Sequence, residues 1–594
     1  MSSKMTSTTI QTNSSQDEAD LLVIGAGAGG MCAALAAAIM GMKVLVCEKS
    51  SQVGGTAATS AGTIWVPENR QSREAGFPDT REAARRYFKA LLPDSSDGEQ
   101  LREAYLREGP DVVDWFAQHS DVQWVPSGRH PDYEDRDGSA PSGRALAPLG
   151  FDGRLLGDAF KDVRAPIPEF LVFGGMMVGK ADIPRLLGRF ESVGNFVYAV
   201  KLFARFLSDR LLYPRGTRLM MGNAFVARLY LSLRKRKVPV LFGTQLEELV
   251  VEGGRVTGAV VSTGGQRRTI LALKGVVLAT GGFAHNVALR KSFMPAPTPH
   301  DSMAVPENRG EGIAAAIRIG ALTQPAAHGT GAFWSPVSRT GTGQWAGLFP
   351  HLSLDRAKPG LLAVNAAGKR FVNEAVSYHH FVEAMFESHR STPTMPAWLV
   401  CETSFVRKYG LGNIRPETTK LAPFERDHEF VVAGTLDELA RKMGVDAAGL
   451  AATVQRHNGF AATGVDLDFA KGTTELNRFN GDAAHTPNPC IGAIGSGPYC
   501  AMAVWPAEIG CSTGLETDEH ARVLDAARQP ISGLYACGND LASIMRGTYP
   551  GPGTTLGPAL VFGYFAARHA AAGPVAQTTI GVAAPSMEMM APEM

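Results

Sequence analysis

The chain has no Cys-x-x-Cys pair; its seven cysteines, Cys32, Cys47, Cys401, Cys490, Cys500, Cys511 and Cys537, are scattered and odd in number. That spacing speaks against a zinc site or a disulfide framework and suits a reducing compartment. Excess charge is absent too: 58 lysines and arginines face 57 aspartates and glutamates. No field is left to gather a polyanion, so no nucleic-acid partner is expected. No window reaches the ~18–20 uninterrupted apolar residues of a spanning helix. Residues 1–18 lack the apolar core of a secretion signal and read as a disordered tail, and 575–594, rich in Ala, Pro and Met, as a second one. The expectation is a cytoplasmic protein without a metal site.

Glycine is abundant, 66 residues, and its placement is informative. A short apolar run at 20–24 is followed by Gly25-Ala-Gly27-Ala28-Gly29-Gly30, an Ala-rich stretch at 31–40, and a second apolar run at 43–47 ending in Glu48. This is a strand, tight turn, helix and strand. The first glycine permits the turn, the second lets a pyrophosphate approach the backbone at a helix N-terminus, and the third allows close packing of helix on strand. Glu48 stands where ribose hydroxyls are bound. The small-residue run from Lys49 through Gly54, Gly55, Thr56, Ser60, Ala61 and Gly62 lets a longer cofactor lie against the backbone. A second strand-to-glycine junction, Ala279-Thr280-Gly281, and the turn Cys537-Gly538-Asn539-Asp540 complete a set suited to an extended FAD.

Strand signals at 238–242, 247–251, 256–262 and 275–279 predict a β-meander returning to the sheet. From about 300 the glycine pattern changes, and helical stretches at 435–443 and 449–457 alternate with proline-rich loops. The predicted division is 19–298 and 491–574 for a discontinuous first domain and 299–490 for an inserted one. Residues 155–212 combine large apolar side chains with surplus Lys and Arg. Two readings stand for them: a helical excursion packed on the protein's own surface, or a basic amphipathic segment at a membrane interface.

The sequence TYPGPGTTLGP at 548–558 places Tyr549 before two Pro-Gly pairs and a helix-like run. Pro550 and Pro552 have no N–H, so backbone donors there are confined to Gly551, Gly553 and later residues. A tyrosine hydroxyl and the Gly553 N–H converging near a helix start would make a two-donor site for a carbonyl oxygen turning into an enolate.

Together these residues resemble the FAD-dependent fumarate reductase and 3-ketosteroid dehydrogenase flavoprotein superfamily, over about 20–570. The resemblance implies an α/β fold: a Rossmann-like FAD-binding domain of glutathione-reductase type, discontinuous, with an inserted α+β catalytic domain. The middle region holds Arg356, Arg370, His379 and His380, residue types a fumarate-type enzyme needs, but the 548–558 motif resembles the Δ1-type 3-ketosteroid dehydrogenases. For that type the resemblance implies that Tyr549 and Gly553 bind the C3 carbonyl. Tyr378, in GKRFVNEAVSY at 368–378, would take a proton from C2, assisted by Tyr133 of Pro131-Asp132-Tyr133, while hydride passes from C1 to flavin N5. Ser377 stands where that family more often has proline. Non-covalent FAD would be held by Gly25, Gly27, Ala28, Gly29, Gly30, Glu48, Lys49, Gly54, Gly55, Thr56, Ser60, Ala61, Gly62, Ala279, Thr280, Gly281, Gly538, Asn539, Thr555 and Leu556. The implied partners are a 3-ketosteroid and an unidentified electron acceptor, a quinone if 155–212 rests peripherally on the inner face of a membrane. A 3-oxo-5α-steroid 4-dehydrogenase, a dehydrogenase of a smaller cyclic ketone, a fumarate- or enoate-type reductase and a non-enzymatic flavin carrier remain alternatives.

Overall fold

The computed structural model describes residues 18–573 apart from 94–96, 180–181, 325–330, 342–346, 353–354 and 428. The tails expected at 1–18 and 575–594 lie outside the described residues, save Glu18, which opens the first strand.

Strand β1 (Glu18–Ile24), helix α1 (Ala28–Ile39) and β2 (Val44–Cys47) form the expected unit, with β1 and β2 parallel and Ile24 opposite Cys47. All four β2 residues are buried, as in a strand covered on both faces. In the 155–212 region the structure places a hairpin, Leu171–Val172 with Met176–Met177, and helix α2 (Val193–Arg210), N-capped by Ser192. Its buried residues are Leu202, Phe206 and Asp209, so much of its apolar surface stays exposed.

The chain returns through β3 (Val240–Leu241), β4 (Thr244–Glu252), β5 (Arg255–Thr263) and β6 (Gln266–Leu278). The predicted meander is present: β4, β5 and the first half of β6 are antiparallel neighbours, and the second half of β6 runs parallel to β1.

A second sheet follows: β7 (Ala332–Thr340), β8 (Gly347–Pro350) and β9 (Leu361–Val364), then helix α3 (Tyr378–His389), β10 (Ala397–Glu402), β11 (Phe430–Ala433) and β12 (Tyr499–Cys511). Its order is β8-β7-β12-β10-β9, with β11 also on β12. The expected break at 490/491 therefore needs correction, because β12 is central to this second sheet through Cys511. Alternation of small and apolar residues along it does not say which sheet it will join. The chain rejoins the first sheet with β13 (Arg522–Leu524) and β14 (Pro530–Ala536), which lies parallel to β6, and ends in α4 (Leu556–Ala572). Helix α4 packs on α1 at a point where a Cβ on Gly563 would sit 2.9 Å from the Gly29 carbonyl oxygen. One apolar cluster joins Leu22, Val277 and Phe562 of the first sheet and its helix with Phe333, Phe381 and Met502 of the second.

Candidate active site

One cavity runs from the C-terminal ends of β1, β2 and β6 to the loop before α4 and the start of α3. Gly25, Gly27, Ala28, Gly29, Glu48, Lys49, Gly55, Thr56, Ser60, Ala61, Gly62, Ala279, Thr280, Gly281, Gly538, Asn539, Thr555 and Leu556 line it, and so do Tyr133, Tyr378, Tyr549 and Gly553. Gly30 and Gly54, expected among the residues that hold FAD, do not line the cavity. Gly30 lies behind the wall, where a Cβ would come 1.9 Å from the Gly25 oxygen, which is the close helix-to-turn packing its position demands. Gly54 also lies behind, its N–H donated to the Ala26 carbonyl at 2.8 Å.

The residues fit an extended dinucleotide. A Cβ on Gly27 would meet no protein atom within 4 Å and would project into the cavity itself, at the N-terminus of α1 where anions are favoured. Glu48 accepts the Ala26 N–H at 2.7 Å and the Ser50 N–H at 2.8 Å, one on each oxygen. Burial still pushes its pKa up, and its remaining lone pairs are placed for hydroxyl donors. Asp540 ties the two glycine turns together, accepting from Thr280 N at 2.6 Å and Gly282 N at 2.9 Å; burial raises it to about 6. Asn308 bridges Thr56 Oγ1 and the Gly281 carbonyl at 3.1 and 3.0 Å.

The three tyrosines meet. The Tyr133 hydroxyl donates to that of Tyr378 at 3.3 Å, and Tyr378 donates to Tyr549 at 3.0 Å. The Tyr133 ring stacks on Tyr549 at 5.6 Å with 10° between planes. Tyr133 lies in a fixed loop, because buried Asp132 accepts from Trp65 Nε1 at 2.7 Å, Ala140 N at 2.9 Å and Arg144 Nη1 at 2.7 Å. The Pro550 carbonyl takes both the Tyr133 N–H and the Tyr87 hydroxyl, each at 2.9 Å. Gly553 has φ +99°, and a Cβ there would strike the Thr63 oxygen at 2.5 Å; only glycine suits this corner. Among the described residues none accepts from its N–H, which remains a free donor at the cavity.

Tyr378 is the first residue of α3. Ser377, standing in place of the family's proline, caps that helix by accepting the His380 N–H at 3.2 Å. Burial, then neighbouring Tyr133, push the Tyr378 pKa well above 10, while the Tyr549 hydroxyl and the Arg356 charge act the other way. Arg356 is itself buried, lowered to about 10 by burial, and donates to the carbonyls of Glu374 at 2.7 Å and Val376 at 3.2 Å. His379 accepts the Trp334 N–H at Nδ1, 3.2 Å, and donates from Nε2 to the Gly547 carbonyl at 3.0 Å, bracing the 547–553 loop. Arg370 is bound to Glu374 and Asp466.

None of Arg356, Arg370, His379 and His380 lines the cavity. The lysine and arginine that do, among the described residues, are Lys49 and Arg164, paired with Glu311 and Glu307. The wall also includes the apolar residues Ile167, Phe170, Met303, Leu352, Leu476 and Ile509. The sequence reading missed these residues, as it missed Asn308 and the segment Thr244-Gln245-Leu246. No motif marks them, since each enters from a different part of the fold.

A family model described as FAD binding domain matches residues 20–556. The chain is 35% identical over 569 residues to a 3-oxosteroid 1-dehydrogenase of Mycolicibacterium smegmatis, covering 93% of this chain and 97% of that protein. It is 37% identical over 559 residues to 4-oxocyclohex-2-ene-1-carboxylate 5-dehydrogenase of Sinomonas cyclohexanicum, covering 93% of each. Among solved structures, 3-ketosteroid delta1-dehydrogenase from Sterolibacterium denitrificans in complex with 1,4-androstadiene-3,17-dione is similar at TM-score 0.85 and 38% identity, over 94% of this chain and 100% of that one.

Proposed function

The chain belongs to the FAD-binding-domain family of flavoproteins, and from that premise we propose that it is a 3-oxosteroid 1-dehydrogenase. The observation that carries the reading is the hydroxyl chain Tyr133–Tyr378–Tyr549 beside the free Gly553 N–H, in the same cavity as the dinucleotide cradle.

Gly25, Gly27, Gly29, Glu48, the 55–62 run, Thr280, Gly281, Asn539 and Thr555 would hold the FAD, whose flavin, when bound, supplies the acceptor for the hydride leaving C1. Tyr549 accepts a hydrogen bond from the Tyr378 hydroxyl and so keeps its own hydrogen for a ligand. With the Gly553 N–H it makes two donors for the C3 carbonyl oxygen, and negative charge gathering there acidifies C2. Tyr378 takes the C2 proton. As a phenolate it would keep the hydrogen bond from Tyr133, the charge of Arg356, and the positive end of α3, while Tyr549 gives its hydrogen to the carbonyl. The product is a 1-ene-3-one.

Anaerobic mixing of the FAD-loaded protein with androst-4-ene-3,17-dione tests this. Bleaching of the flavin with formation of the 1,4-diene is the expected result; bleaching by a 5α-reduced 3-ketosteroid alone defeats it. A second reading, a smaller oxocyclohexane carboxylate as substrate, is favoured by the Sinomonas relative's name. Against it, the cavity's lysine and arginine are already paired with glutamates, and Ile167, Phe170, Met303, Leu352, Leu476 and Ile509 give it an apolar lining. Bleaching by 4-oxocyclohexanecarboxylate and not by the steroid would reverse the choice.

The 155–212 excursion supports a peripheral membrane contact as part of this proposal. Val193, Phe196, Val197, Val200, Phe203 and Leu207 of α2 are exposed, and Phe173, Phe190, Leu211 and Leu212 beside it are 71–84% exposed. Arg185, Lys201 and Arg210 are exposed on the same excursion. Apolar surface flanked by cations suits an anionic bilayer. Among the described residues no helix is long and apolar enough to cross a membrane, so the contact is a surface one, consistent with a quinone as electron acceptor.

A further inference from the structure

Glu134 follows Tyr133 by one residue and His380 follows Tyr378 by two, and their side chains meet, with Oε1 of Glu134 3.2 Å from Nε2 of His380. The surrounding groups hold both in place. His380 Nδ1 lies 2.8 Å from Ser377 Oγ, the cap of α3, and Arg136 donates to the other Glu134 oxygen at 3.2 Å. Glu383 Oε2 stands 3.8 Å from His380 Nε2, and the His379 ring lies 5.6 Å away.

Residues 133 and 134 are fixed to the 549–553 loop through backbone: the Tyr133 N–H goes to the Pro550 carbonyl, and the Glu134 N–H goes to the Tyr87 hydroxyl at 3.2 Å, which itself donates to Pro550. Toward α3 they are held through side chains. One of those contacts, Tyr133 to Tyr378 at 3.3 Å, is long for a hydroxyl pair, whose ordinary range is about 2.5–3.0 Å. A bond so extended does not set its own length, whereas an ion pair one and two residues away restricts how far its backbones separate.

We propose that the Glu134–His380 ion pair is a latch that holds the Tyr133 loop against the start of α3, making both residues positioning residues for proton abstraction by Tyr378. The inference rests on the tyrosine roles proposed above. The charge pattern agrees with it. Burial alone would lower His380, but the hydrogen bond and charge of Glu134, with Glu383 behind, hold its pKa above the ordinary value, against a smaller opposing effect of Arg136. Glu134, in spite of burial, is held down at about 2 by His380 and Arg136. The latch is therefore ionic below the His380 pKa and weakens as pH rises through it.

The test uses the FAD-loaded protein, its Glu134→Gln and His380→Asn variants, and two readouts. In anaerobic rapid mixing with androst-4-ene-3,17-dione, both variants should lower the limiting flavin-reduction rate by about tenfold or more, with the steroid dissociation constant and FAD content little changed. The wild-type limiting rate should show a titration step that vanishes in both Glu134→Gln and His380→Asn. Independently of turnover, a histidine-ring NMR titration should place the His380 pKa above about 6.5 in the wild type and lower in Glu134→Gln. If His380→Asn fails to fold, Glu134→Gln carries both readouts. Wild-type rates with a wild-type pH profile, or a His380 pKa unmoved in Glu134→Gln, would overturn the latch. A wild-type flavin that no ketone bleaches would instead overturn the proposed activity, and the NMR titration would still decide whether the pair exists.

Discussion

In the proposed reaction Tyr378 is asked for opposite things: burial suppresses its phenolate, and a base must form one. The structure opposes burial with the Arg356 charge, the Tyr549 hydroxyl and the helix start. Tyr378→Phe should therefore cut steroid-driven flavin reduction by ~10²–10⁴-fold with bound FAD retained, and Tyr549→Phe by ~10²–10³-fold; stopped-flow absorbance measures both. Arg356→Gln keeps a donor near the Glu374 and Val376 carbonyls but removes the cation. The rate should then need higher pH, its rising limb moving in the alkaline direction, and an unmoved limb would mean that the Arg356 charge does not reach the base. The corner proposed to bind the carbonyl was legible from the neighbours of Tyr549 and Gly553, because proline and glycine impose their constraints locally. Tyr133 was not legible in that way, since nothing in Pro131-Asp132-Tyr133 tells that Asp132 binds Trp65 and Arg144 and turns the ring inward.

At the scale of elements, α3 does more than carry Tyr378. Its first turn presents the residue at the helix's positive end, and Ser377 supplies the cap that a proline would not. The same turn holds His380 for Glu134, and this pair has a signature in stability. Glu134 is depressed to about 2, so its contribution is present above the unfolded carboxylate value near ~4.3 and is lost as pH falls toward 2. His380 is raised, so its contribution is present below ~6.5 and is lost as pH rises through its folded value. The difference in Tm between wild type and Glu134→Gln should thus be largest between about pH 4.5 and 6.5 and narrow on either side. Calorimetry across that range would show it, and a constant difference would place the pair outside the stability of the fold. Among the strands, the meander β4–β6 was readable from turn residues and alternation. Strand β12 was not assigned to its sheet, because a buried strand looks alike in either.

For the whole molecule, the excursion that carries α2 also supplies Ile167 and Phe170 to the cavity wall. Its exposed apolar residues and two residues of the apolar wall thus belong to one segment. Sedimentation with anionic vesicles should recover the wild type, and replacing Phe190, Phe196 and Phe203 by serine should weaken recovery at least severalfold while leaving steroid-driven flavin reduction in solution unchanged. Equal recovery of both proteins would remove the membrane from the proposal.

The sequence alone determined the glycine turns and the Tyr-Pro-Gly corner to which the proposed FAD and carbonyl sites are assigned. Gly25, Gly27, Glu48 and the run from Tyr549 to Gly553 each meet the demands of a single turn, and those demands are written in adjacent residues. Tertiary structure decided the rest of the site. It brings together hydroxyls 245 and 171 residues apart, sets Gly30 and Gly54 behind the wall, and keeps the arginine and histidine cluster out of the cavity. It also pairs Glu134 with His380. Such convergence comes from packing two sheets around one core, and no local pattern of residues encodes which distant side chains that packing will bring within hydrogen-bond reach.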